Sequence, residues 1–104
     1  MKKLLLPSVL SLSLLLVSFA KTGHNYVPKD GFILNSETAI KIAEAVWMPI
    51  YGEKIYNKKP FIARLNKVGI WVVEGSLAKG MLGGVPYIEI QKSDARILKV
   101  SHGK

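Results

Sequence analysis

From Asn35 to Gly52 the apolar side chains recur at helical spacing, and from Pro60 onward they recur at every second position. The first period belongs to a helix and the second to strands, so one helix is predicted ahead of a sheet. At 100° per residue, Ala39, Ile40, Ile42, Ala43, Val46, Trp47 and Ile50 share an arc of about 160°. Glu37, Thr38, Lys41, Glu44, Ala45 and Met48 occupy the other side. Asn35 or Ser36 can accept from the first free amides, and Glu37 sits where the helix dipole favours negative charge. Pro49 lacks an amide proton and is expected to end or tighten the helix near Met48, with Gly52 closing the last turn in a left-handed conformation.

Beyond the helix, Phe61, Ala63 and Leu65 alternate with Ile62, Arg64 and Asn66, and Trp71 and Val73 alternate with Ile70, Val72 and Glu74. The short "NKVG" between them predicts a hairpin. After the glycine-bearing loop "LAKGMLGG", Ile88 and Ile90 face opposite to Tyr87, Glu89 and Gln91. A turn at "SDA" leads into a last strand in which Leu98 and Val100 alternate against Ile97 and Lys99, followed by the polar tail "SHGK". The expected fold is α+β: one N-terminal amphipathic helix packed on an antiparallel three- to four-stranded meander, because the sheet is the only surface large enough to cover the helix's apolar face. Trp47, Ile50 and Phe61 are expected in the core. Trp71 fits the core opposite Trp47, or else the exposed sheet face as an anchor for a partner.

The first twenty residues divide from the rest by composition. Lys2 and Lys3 precede the apolar, serine-dotted run Leu4 to Phe19, which closes on Ser18-Phe19-Ala20, a small-x-small cleavage pattern. Residues 1–20 read as a secretory signal peptide cut after Ala20, too short and too diluted by Pro7 and serines for a spanning helix of about 20 residues. The product is expected in the periplasm or secreted, with no stable membrane insertion. Residues 21–34, rich in turn formers, form an extended lead-in in which Phe32 to Leu34 can pack, and residues 35–104 form the domain. There is no cysteine, so disulfides, thiolate metal sites and cysteine nucleophiles are excluded and packing alone must hold a small core.

The formal charge of the whole chain is +8, but its lysines are scattered and only Lys58-Lys59 forms a local pair in the domain. With no aromatic-basic nucleic-acid motif in the chain, a solvated basic surface is expected and nucleic acid is not a predicted partner. Candidate chemistry is sparse. His24 and His102 lie in the lead-in and the tail; Glu74 and Glu89, on neighbouring strands, fit cross-strand pairing with cations better than acid/base work. The serines lack a His and Asp in any recognisable arrangement. "GMLGGVP" has no Gly-Lys-Ser/Thr ending and precedes a strand, so it is a connection and not a phosphate loop. No catalytic residue, metal site or cofactor is expected.

The order of landmarks carries a resemblance. "DGFILNSETAIKIAEAVWMPIYGEKI", "KKPFIAR", "WVVEGSL", "GGVPYIEIQKSDARIL" and a closing "HGK" together resemble the immunity proteins of nuclear-transport-factor-two-like (cystatin-like) fold that accompany bacterial polymorphic toxins, including the Rhs type. The similarity covers about residues 28–104. Ala95 departs from the pattern, since glycine would suit the last turn better. The resemblance implies a protein that performs no reaction and neutralises a cognate protein toxin by binding it. It carries over no defined contact residues. From residue type alone, Tyr51, Tyr56, Lys58, Lys59 and Arg64 are the candidate partner-binding residues, because tyrosine joins apolar area to a polar tip and the cations suit an acidic partner. The oligomeric state is left open. Two rival readings stand beside it. "GGVPYIEIQKSDARILKV" also resembles a PepSY-like periplasmic binding or protease-inhibiting module. A cystatin-like sheet could also hold a small ligand, with Glu74 or Arg64 as its buried polar group.

Overall fold

The computed structural model describes residues 23–103, so the expected signal peptide lies outside the described residues. Helix α1 (Ser36–Tyr51) leads into a 3-10 helix (Gly52–Lys58), then β1 (Ile62–Leu65), β2 (Ile70–Glu74), β3 (Pro86–Gln91) and β4 (Ile97–His102). The strands pair in the order β1-β2-β3-β4, each antiparallel to the next. With α1 laid across one face of this meander, the architecture is the α+β arrangement the periodicity predicts.

The helix begins where its cap permits. The Asn35 side chain accepts from the amide of Thr38 at 2.8 Å and from its hydroxyl at 2.9 Å, so a donor with no partner inside the helix is satisfied. Ala39, Ala43 and Trp47, four residues apart, form the buried stripe. The two alanines let the helix approach the sheet closely, and Trp47 fills the remaining space edge-on to Phe61, with ring centroids 5.2 Å apart.

The helix tightens into the 3-10 helix, but at Gly52 and not near Met48. Pro49 lies inside α1, and the helix continues to Tyr51. Proline forfeits one bond, to the carbonyl of Ala45, and beyond it Tyr51 packs against the core and Ile55 enters it. Gly52 has positive φ (78°), yet its ψ of −172° is not the left-handed helical value; its N–H bonds to the Met48 carbonyl while the chain turns into the 3-10 helix. Ile50, expected in the core, is 56% exposed. Its angle around the axis is right, but angle does not record whether protein lies opposite that turn. The core position passes to Ile55, 2% exposed, which lies on the 3-10 helix.

Phe61, Trp71, Val73, Ile88 and Ile90 meet the helix from the sheet. Trp71 is a core residue and not an exposed anchor: its indole N–H donates to the Ile33 carbonyl at 3.0 Å. Of the three lead-in residues expected to pack, only Ile33 is buried, while Phe32 and Leu34 are exposed. The amides of Phe32 and Ile33 donate to the Lys92 carbonyl, at 3.1 and 3.2 Å. Gly31 makes this approach possible, since a Cβ there would sit 2.8 Å from the same oxygen.

Asn66 organises the first hairpin by accepting from the amides of Val68 and Ile70, at 3.0 and 2.9 Å. In the last turn Ala95 adopts φ 65°, the conformation for which glycine is suited. A register shift between Glu89 and Ile90 pairs Glu89 with Lys99 and Ile90 with Ile97, leaving Leu98 as the extra residue of a bulge. The simple alternation expected along β4 is therefore broken. The polar tail is also not loose at its start, because β4 runs through Ser101 and His102. Gly103 then donates to Val85 and passes directly against Gly84, so two separated glycine landmarks meet in space.

Candidate partner-binding surface

The connection from α1 to the sheet is a ridge. Its 3-10 backbone turns about every three residues, which sends Ile55 inward and leaves Lys54 at the surface. The end of the ridge is tied to the sheet: the Lys58 carbonyl accepts from the amide of Ser76 at 2.7 Å, and the Ser76 hydroxyl donates to the Pro60 carbonyl at 2.6 Å. Gly75 permits the contact, because a Cβ there would lie 2.9 Å from the side chains of Lys58 and Pro86. The "WVVEGSL" landmark thus fixes the ridge on the fold.

An open groove runs along each side of the ridge. One, of roughly 470 Å³, is lined by Ile50, Tyr51, Lys54, Ile55, Lys58 and His102. The other, of roughly 290 Å³, is lined by Lys54, Asn57, Lys58, Leu77, Ala78 and Met81. Lys54 and Lys58 are shared between them, and among the described residues no carboxylate lines either. Among the described residues neither lysine has a carboxylate at ion-pair distance. The apolar flanks are open to solvent: Ile50 on one side, Met81 at 59% exposure on the other, and Leu82 beyond it at 91%.

Four of the five candidate partner-binding residues lie on or beside this ridge. Tyr51 and Lys58 line the first groove, and the Tyr51 ring meets the His102 ring edge-on at 5.1 Å. Tyr56 and Lys59 form a second pair, with the ammonium 4.7 Å from the tyrosine ring centroid. Arg64 is separate. It lies on the sheet face turned away from α1, where its guanidinium is 3.1 Å from Glu74. Ile50, Lys54 and His102 were not singled out from the sequence as contact residues. The signal for Lys54 was its place three residues after Tyr51 and four before Lys58, legible only once the segment is known to be helical.

The outer sheet face carries its own polar set. Glu74 stands opposite Tyr87 and Glu89 opposite Val72, so the two carboxylates are diagonal neighbours with different partners. The Tyr87 hydroxyl donates to Glu89 at 2.6 Å. That bond, then burial, then the negative charges of Glu89 and Glu74 hold the Tyr87 pKa above its ordinary value, with Arg64 opposing. Arg64 is exposed and Glu74 partly so, which places neither in an enclosed ligand cavity. Among the described residues no group of three or more metal-ligating side chains converges, and no helix is long and apolar enough to cross a membrane.

Residues 38–104, from the first turn of α1 through the end of the chain, match the NTF2 fold immunity proteins. This chain belongs to that family. Membership fits the one-helix, four-strand α+β fold. The chain is also 34% identical over 73 residues to the uncharacterized protein YhhH of Escherichia coli strain K12, covering 69% of this chain and 58% of YhhH. The chain therefore spans less than two thirds of that relative. No solved structure matches it significantly.

Proposed function

We propose that this chain is an exported immunity protein that binds and neutralises a cognate bacterial toxin of the polymorphic type without catalysing a reaction. The observation carrying the reading is the match of residues 38–104 to the NTF2 fold immunity proteins. The signal-like residues 1–20 support export to the periplasm or beyond. The basic balance supports an acidic partner surface, since opposite charge accelerates encounter and selects among partners. A toxin acting on the cell wall or membrane fits an immunity protein on that side of the membrane.

The test pairs the chain with a toxin domain found encoded beside it. Co-expression protects cells, and the purified proteins form a complex by calorimetry. The toxin kills when it carries an export signal and this chain rescues the cells. Killing only by the unexported toxin removes the periplasmic assignment, and absence of any complex removes the immunity reading.

A further inference from the structure

Resting on that immunity reading, we infer that the toxin docks on the ridge of the 3-10 helix, and that it presents there an acidic segment bearing an apolar side chain. The geometry has two parts. Lys54 and Lys58 stand along the crest shared by the two grooves, with no carboxylate among the described residues that line either side. Ile50 and Met81 flank the crest on opposite sides and are both more than half exposed. A carboxylate pair on the partner would meet the two ammonium groups, while an apolar side chain beside it would cover Ile50 or Met81. Charge then speeds and orients the encounter, and the desolvated apolar contact slows release.

The alternative surface is less suited. On the outer sheet face, Arg64 is engaged by Glu74, Tyr87 by Glu89, and the Lys99 ammonium lies 5.7 Å from the Tyr87 ring centroid. Those cations already have partners, and a toxin would have to displace them. Among the described residues, Lys54 and Lys58 have no carboxylate at ion-pair distance to be displaced. The ridge is also pinned to β2 and the following loop through Gly75 and Ser76, so little order has to be imposed on docking.

The experiment measures affinity for a toxin domain found encoded beside this chain, using the mature protein and three variants. Lys54→Glu with Lys58→Glu, and separately Ile50→Asp with Met81→Asp, each weaken binding by about tenfold or more, as expected for truncating or reversing central contacts. Lys41→Glu with Lys99→Glu, the same charge change away from the ridge, weakens it less than about threefold. Circular dichroism and melting temperature confirm that each variant folds. Wild-type protein that fails to bind overturns the immunity reading itself. Wild-type protein that binds, with ridge variants of unchanged affinity, overturns the docking surface alone. Binding of wild-type protein to vesicles of phosphatidylglycerol with loss in the ridge variants, or self-association that the ridge variants abolish, assigns the ridge to a different occupant and also overturns it.

Discussion

At the scale of single residues, close backbone approach and hydrogen-bond satisfaction explain more than residue type does. A Cβ on Gly84 would fall 2.0 Å from the Gly103 carbonyl carbon, with nothing flexible to move aside. Gly84→Ala is expected to lower stability by about 1–3 kcal/mol in chemical denaturation, with the loss expressed as fraying of the end of β4 in hydrogen exchange. Tyr87 makes a pH prediction. Its ordinary pKa is 10.0 and its bond to Glu89 raises it, so the folded state retains the proton more tightly than the unfolded chain. Its stabilising contribution is complete below pH 10 and is lost as pH rises through the elevated folded value. Absorbance titration of the phenolate should show a tyrosine ionising above the usual range, and Glu89→Gln should bring it back down. The two tryptophans show what residue type could not decide. Both were legible as apolar bulk, but only the fold gave the Trp71 indole the Ile33 carbonyl and left the Trp47 indole nitrogen without a partner among the described residues.

At the scale of elements, helix and strands were readable because their periods differ and each has a buried side. The helix start was readable for a local reason, the bond from the Asn35 side chain to Thr38. Asn35→Ala should cost about 1 kcal/mol, measured as a shift of the denaturation midpoint at unchanged slope. The helix end was not readable, because a local rule at Pro49 competes with burial of Ile55, seen only when the sheet is in place. The β4 alternation failed at the bulge for the same kind of reason. Register is chosen by the partner strand, and the extra residue at Leu98 lets Ile97 reach a place opposite Ile90.

At the scale of the whole molecule, net charge sets how a partner arrives and the fold sets where. Of the formal charge of +8, Lys2 and Lys3 supply two, so the proposed mature chain carries +6, and its association with the proposed acidic partner is expected to slow with salt. Raising sodium chloride from about 50 to about 500 mM should reduce the association rate constant by roughly tenfold in stopped flow, with a smaller change in dissociation. Of the candidate contact residues, the sequence placed Tyr51, Tyr56, Lys58 and Lys59 in one connection but grouped them with Arg64, which the sheet turns to the opposite face. By itself the sequence determined the α+β class, the antiparallel order, the absence of thiol chemistry and the basic charge, since each follows from local period or composition. Only the tertiary structure decided that Ile50 stays exposed while Ile55 is buried, that Lys54 and Lys58 share a crest between two grooves, and that Gly84 meets Gly103. Those outcomes depend on which distant surfaces face one another, and no local pattern encodes that.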